Sequence, residues 1–593
     1  MMKSVNTAYV YDGDLRDEAN RAGRNYWHEY VKEICDNIGL RAREVSRRIL
    51  SDREALQEFS VLLIGDLAAA QLPSGAAEAL EGWVKAGGVL IGMGTDGLDP
   101  LFGNACAGLA KQPVDDFTIA GFFSILNDPV TEGVHSYLHS SQKLMIFSDV
   151  RLTTPQAGKP LAKFYGPNGV FMGSAAVTRR DLGEGIAFYF AFNVPKTVWV
   201  LQQGRPVDKD YDGDGYLRVS DACVIRPHEI EVQYADEIKW ILQNMIATRP
   251  VPFIYPSPPV GGQVPDALFY WGGDDEGVPN AQVFSSDFMK ERGLPYHLNI
   301  MPKGGKFALT AAEARRIEAN GHEIALHFNV IDGHTHPYAF TEDNVREQMG
   351  LFQKAFGKTS VCSVNHWCTW VGWAEPAKWF SAMGGKGDNC RIHASSPPLN
   401  PANMIGFSCG TAFPYYVYDD WRGANRRIDF VLQPIVAYEV GYSNKTDRPD
   451  FEHLPRIVEL ATRYHLTADM FYHPVNIHRF ASCRAAIDEF LRILRERNVL
   501  AKHMGNDELC RWWSARSASK VGAATASDGV ITFNCETRYV DGMVVKTPLG
   551  RHRATRVSVS GSSAATKSVQ EFGQNWVFVA VPKGKHTIEI TTG

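Results

Sequence analysis

The chain has 593 residues, 45% hydrophobic, 21% charged and 11% aromatic; this excludes a single small module and the low-hydrophobicity composition of disorder, and implies three or four domains. With 61 Lys and Arg against 66 Asp and Glu, the formal charge is −5 and no long basic run occurs, so nucleic acid is not an expected partner. No stretch reaches the roughly 18 apolar residues of a membrane helix, and the start, MMKSVNTAYVYDG, lacks the apolar run of a signal peptide, so no membrane association is expected.

Residues 1–250 alternate strand-like and helix-like segments: TAYVYD, NYWHEYVKEICDNIG, FSVLLIGD, SGAAEALEGWVKAGG, VLIGMG. That rhythm predicts a parallel sheet with crossover helices. The run VLLIGDLAAAQLPSGAAEALEGWVKAGGVLIGMGT, with GEGIAFYFAFN later, resembles the class I glutamine-amidotransferase-like (flavodoxin-like) domains attached to carbohydrate-active enzymes. Such an enzyme would carry a cysteine on the turn after the strand, where this chain has Gly92-Met93-Gly94-Thr95, so the resemblance implies the fold without the activity. Gly92 to Gly97 also satisfies GxGxxG, but DPLFGNACAG does not begin a convincing helix, and dinucleotide binding is not expected.

Asp210-Tyr211-Asp212-Gly213-Asp214-Gly215-Tyr216-Leu217-Arg218-Val219-Ser220-Asp221 fits the twelve-residue calcium-loop grammar, with acids at positions one, three, five and twelve and glycine at six. Alternate carboxylates converge on a hard cation, so Asp210, Asp212, Asp214, Tyr216 and Asp221 are the expected calcium ligands. Structural calcium of this kind suits an extracytoplasmic setting.

TRPVPFIYPSPPVGGQVP, dense in Pro and Gly, marks a boundary. Beyond it DALFYWGGDDEG, LPYHLNIMPK, GHEIALHF, TSVCSVNHW and ADMFYHPVN read as apolar strands ending in polar residues, separated by helix-like stretches. Over 265–515 this predicts a (β/α) barrel with reactive groups at the strand C-termini. From 520 to 593, alternating strands with Gly and Pro turns predict a small β-sandwich.

In the barrel, Asp274 and Asp275 close one strand, and GHEIALH with His334 and His336 follows. Three neutral imidazoles near an acidic pair make a plausible site for zinc or a similar divalent metal. His473 ends ADMFYH, where an imidazole can protonate a leaving group. GGDDEG, GHEIALH and FYHP together resemble the NodB-homology polysaccharide deacetylases. The resemblance implies Asp274 as general base, Asp275 and His327 as metal ligands, and His473 as general acid. The family's second metal histidine follows the first by four residues, where this chain has Ile331. Either His336 or His366, at the end of SVCSVNHW, would complete the site, with His334 a loop residue. The family's arginine-and-proline third motif is absent, and NHWCTWVGW stands in its region.

HEIALH is not a zinc-protease helix, because residues five apart do not share a helix face. Gly406-Phe407-Ser408-Cys409-Gly410 satisfies GxSxG without the strand and helix that a serine nucleophile needs. The ten cysteines include no CxxC and read mostly as buried thiols, leaving the redox compartment undecided. Aromatic residues beside the pocket, Trp367, Trp370, Trp373 and Tyr416, are the expected sugar-stacking surface. The expected function is a metal-dependent hydrolase that removes N-acetyl groups from an amino-sugar glycan. The alternatives are an O-acetyl esterase, a cyclic-amide hydrolase, or an inactive glycan-binding protein.

Overall fold

Runs such as VLLIG and VLIGM are buried on both faces, as the interior strands of a helix-covered parallel sheet must be. The computed structural model describes residues 3–135, 142–227, 229–332, 340–392 and 403–593. In the first sheet Arg43–Val45, β1 (Thr7–Val10), β2 (Val61–Gly65), β3 (Val89–Met93) and β4 (Gly185–Phe190) lie side by side and parallel. Antiparallel strands Phe171–Leu182, Lys159–Tyr165, Gly121–Ile125 and Leu144–Ile146 extend it beyond β4. The expected parallel sheet is therefore its first half, and the second half is meander.

The second large sheet contains β5 (Ala267–Asp274), β6 (His297–Ile300), β7 (Glu323–Phe328), β8 (Cys362–Asn365), β9 (Gly387–Arg391), β10 (Arg427–Pro434), β11 (Ala437–Tyr438) and β12 (Thr467–Phe471). Their spatial order is β11-β12-β5-β6-β7-β8-β9-β10, every neighbouring pair parallel. Among the described residues no ladder joins β10 to β11, so the sheet curls like a barrel but stays open there. All eight strands present their C-terminal ends to one rim, where ligands gather in parallel sheets.

Two further sheets contain the C-terminal strands, Val530–Thr537 with Gly584–Thr592 in one and Met543–Gly550 with Gln574–Val581 in the other. Lys3–Val5 pairs with Ala524–Ser527, and Phe253–Ile254 pairs with Met543–Gly550, so distant parts of the sequence complete these sheets. Among the described residues no helix is long and apolar enough to cross a membrane.

Candidate metal and catalytic site

β5 delivers the acidic pair to the rim, and the two glycines before it are there for space. A Cβ on Gly273 would strike the Tyr472 carbonyl from the chain leaving β12, and one on Gly272 would press on the Asn506 side chain. Asp274 ends the strand and Asp275 follows, its N–H held by the Asn299 carbonyl at 2.8 Å. Asp275 Oδ1 accepts from Gly277 N–H at 2.8 Å and the Gln282 amide at 2.6 Å. Asp274 Oδ1 and Asp275 Oδ2 are buried without a hydrogen-bond partner. Burial raises both carboxyls, Asp274 to about 8 and Asp275 to about 6.

His327 lies on β7 beside Val364 of β8, and His366 follows β8 directly. His327 Nδ1 is 2.9 Å from the Val364 carbonyl, which fixes the proton on Nδ1 and leaves Nε2 as the unprotonated, accepting nitrogen. That Nε2 faces His366 Nδ1 at 3.1 Å. Burial holds both imidazoles below their ordinary pKa, so they are neutral. Two nitrogens bound to one tetrahedral ion at 2.0–2.1 Å stand about 3.3 Å apart, and this pair matches that spacing. Glu276 supplies a carboxylate oxygen that, with one nitrogen of each histidine, forms a group whose atoms all lie within 4.8 Å of one another. Asp274 Oδ1 is 3.7 Å from His327 Nδ1. Two imidazoles and Glu276 therefore fit a divalent ion, with the orphan Oδ1 of Asp274 next to His327. His336 and His334 lie outside the described residues.

His473 follows β12 at the same rim. Its Nδ1 is 2.6 Å from Glu439 Oε1, and its own N–H and the Asn476 amide bind that oxygen as well. Glu439, just past β11, is 1% exposed. Burial pulls the imidazole down, but the Glu439 carboxylate outweighs it and lifts His473 to about 9, so it is an imidazolium at neutral pH. Its Nε2 lies 3.8 Å from Glu276 Oε1.

A second acidic group, His297, Glu323 and Asp507, supports the first from behind. Glu323 accepts the N–H groups of Asp507 and Glu508 at 2.8 Å each, at the N-terminus of helix Asn506–Ala518. It also lies 3.0 Å from His297 Nδ1. His297 Nε2 meets Asn299 Oδ1 at 3.1 Å, and the Asn299 amide reaches Asp274. With both carboxylate oxygens accepting these bonds, Glu323 of GHE is a helix cap and imidazole anchor.

Of the expected sugar-stacking residues only Trp367 stands at the surface, 46% exposed. It occupies a left-handed conformation, φ +56°, and its ring lies 5.9 Å from that of His366. Trp370, Trp373 and Tyr416 are buried. The Trp373 indole Nε1–H bonds the Tyr418 carbonyl at 3.1 Å, its ring packs on Trp27, Phe117 and Trp199, and Arg391 and Arg427 cover Trp370 and Tyr416. These three belong to the core between the two large sheets, which corrects their assignment to a cleft. The calcium-type loop gathers Asp210, Asp212 and Asp214 within 4.8 Å. Asp221 instead holds the N–H groups of Tyr211, Asp212 and Arg218, and Tyr216 donates its N–H to Asp214.

Glu276 and Glu439 were not singled out from sequence. Glu276 was within sight, in GGDDEG; Glu439 follows a two-residue strand that has no periodicity to detect.

No protein-family model and no curated protein matches this chain. Among solved structures, Agd3, described as a novel carbohydrate deacetylase, aligns over 99% of both chains at 10% identity with a TM-score of 0.41. A CE4 family pseudoenzyme from Bacillus anthracis aligns over 42% of this chain and 66% of its own at 13% identity, TM-score 0.24. A β-galactosidase from Rahnella sp. R3 aligns over 32% of this chain at 13% identity, TM-score 0.25; the chain spans 29% of that protein's length.

Proposed function

We propose that the protein is a metal-dependent hydrolase that removes acetyl groups from the amino sugars of a glycan. The observation that carries this reading is the facing pair His327 Nε2 and His366 Nδ1 at 3.1 Å, with Glu276 beside it and Asp274 Oδ1 3.7 Å from His327 Nδ1. His327 and His366, with Glu276 or Asp275, would hold the ion. When bound, a divalent metal would acidify a water and polarise the acetamide carbonyl. Asp274, with a free buried oxygen and a carboxyl raised to about 8, takes the proton of the attacking water when ionised. His473, held as an imidazolium by Glu439, gives its proton to the departing amine nitrogen. The exposed Trp367 indole beside His366 offers a face for a sugar ring. Calcium in the Asp210, Asp212 and Asp214 loop and an extracytoplasmic location belong to the same reading.

The test is the metal content of the purified protein together with acetate release from N-acetylated hexosamine oligomers. Stoichiometric zinc or another divalent transition metal with acetate release is expected. A metal-free protein, or no acetate from any acetylated glycan, refutes the reading; acetate from O-acetylated glycans alone points to an esterase.

A further inference from the structure

The two imidazoles of the candidate site face it through opposite nitrogens, so each has a second nitrogen to satisfy. His327 presents Nε2 and places its Nδ1–H on the Val364 carbonyl at 2.9 Å. His366 presents Nδ1, so as a ligand it carries its proton on Nε2, at the far side of the ring. A histidine bound to a metal through one nitrogen almost always donates from the other to a carboxylate, a carbonyl or water, and that contact fixes both tautomer and aim. Among the described residues Asp332 is the one carboxylate in ion-pair range of His366, with Oδ2 3.7 Å from Nε2.

The turn that carries Asp332 is built around a buried side chain. Asn329, just past β7 and 3% exposed, accepts the N–H groups of Asp332 at 2.9 Å and Ile331 at 3.2 Å on its side-chain oxygen. Its amide donates to the Pro302 carbonyl at 3.1 Å, and its backbone exchanges two hydrogen bonds with Gln348, at 2.8 and 2.7 Å. On the other side of the carboxylate stands Lys303, from the hairpin of Pro302–Lys303 with Lys306–Phe307. Its Nζ lies 3.6 Å from the same Asp332 Oδ2, and its stem runs over Gly277, where a Cβ would stand 3.3 Å from Lys303 Cδ and Cε. One carboxylate oxygen therefore sits between an ammonium and an imidazole. The Asp332 side chain is half-exposed, so a small rotation about χ1 brings that oxygen to hydrogen-bond distance from Nε2.

We propose that Asp332 is a positioning residue of the metal site: it accepts the Nε2–H of His366 and holds that ring with Nδ1 aimed beside His327 Nε2. A histidine after β8 thereby serves where the chain has Ile331 after β7, and the residue next to Ile331 supplies the carboxylate that orients it. This role rests on the reading of the site as a divalent-metal centre and adds the residue that aims one of its ligands. Lys303 holds the same carboxylate from the opposite side.

The test is a titration of the full chain with zinc against a competing chelator, in the parent, Asp332→Ala and Asp332→Asn, with cobalt(II) as a spectroscopic probe of the ligand set. Asp332→Ala should weaken zinc binding about 10- to 100-fold. Asp332→Asn keeps a side-chain oxygen to accept the imidazole N–H and should recover part of that loss. The visible bands of bound cobalt should shift in the alanine variant and return toward the parent's in the asparagine one. Because the position is half-exposed, the metal-free melting temperature should stay at the parent's value in both. Zinc affinity of Asp332→Ala within about twofold of the parent overturns the assignment. So does an asparagine variant no better than alanine, which would leave only the negative charge at work, or a metal-free melt that falls together with the affinity. A parent that takes up neither zinc nor cobalt overturns the metal-centre reading and this role with it. A parent that binds zinc but releases no acetate removes the deacetylase reading alone, since metal affinity is read without turnover.

Discussion

Glu439 decides the charge on His473. Its carboxylate holds the imidazolium through a 2.6 Å contact, and the folded pKa of about 9 stands above the unfolded value near 6.5. A raised pKa contributes stability that is fully present below the unfolded value and is lost as pH rises through the folded one. The same proton is the one offered to the leaving group, so acetate release should fall as pH rises past about 9. Glu439→Gln should move that alkaline limb downward by a unit or more, visible in the pH profile of kcat/KM, and remove the associated stability, which is full below about pH 6.5 and fades between there and about pH 9. An unmoved limb would show that another group sets it. Asp274→Asn should lower kcat by about 10²- to 10⁴-fold while the metal content stays at the wild-type level. Loss of the metal instead would exchange the roles of Asp274 and Asp275. These residues differ in how far the sequence shows them. Asp274, His327, His366 and His473 stand at strand ends that their apolar runs announce. Glu276 stands in the same motif as the aspartate pair, whereas Glu439 becomes visible only when β11 is set beside β12.

At the scale of elements, the calcium-type loop and the turn after β8 form one unit. Trp370 N–H bonds the Leu217 carbonyl at 3.1 Å, Arg218 bridges Thr369, and Val207 exchanges two 2.8 Å hydrogen bonds with Gly372. The Tyr216 ring meets Trp367 edge-on at 4.7 Å. Trp367 and Cys368 both hold positive φ, a conformation that costs free energy unless neighbours impose it. The loop is one such neighbour, so calcium there would be reported by the indole next to it. Chelation of calcium should change the fluorescence of Trp367, the one exposed tryptophan, and lower the melting temperature. Comparison with Trp367→Phe assigns the signal, and an identical spectrum with and without chelator would count against calcium in this loop. The spacing of the aspartates was readable because a cation loop is local. The partnership with Trp367 was not, since it joins residues about 150 positions apart through sheet-edge pairing that leaves no mark on either segment. The same limit misled the aromatic reading: density along 367–379 does not say which rings face inward, and Trp370 and Trp373 pack on Trp27 and Trp199 from the first sheet.

At the scale of the whole molecule, helix Asn506–Ala518 ties the parts together through a single buried side chain. Arg516 is 0% exposed and donates to the carbonyls of Asp36 and Asn37 from the first 250 residues and of Ile254 and Tyr255 from the connecting segment. The helix's other end caps on Glu323 of the second large sheet, and Tyr539 from the C-terminal strands reaches Glu508 at 3.3 Å. A guanidinium is expensive to bury; burial lowers Arg516 to about 10 against the opposing pull of the Asp36 and Glu33 carboxylates, and the four carbonyls compensate. Arg516→Met keeps much of the bulk but leaves those carbonyls unpaired, at a cost of about 1–3 kcal/mol for each acceptor that water cannot reach. The expected result is a melt that separates into two or more transitions where the parent shows one, with the site's own residues untouched. Calorimetry reads this directly: a single transition shifted by less than a degree would mean that the parts are held together by their apolar contacts alone, without help from this arginine.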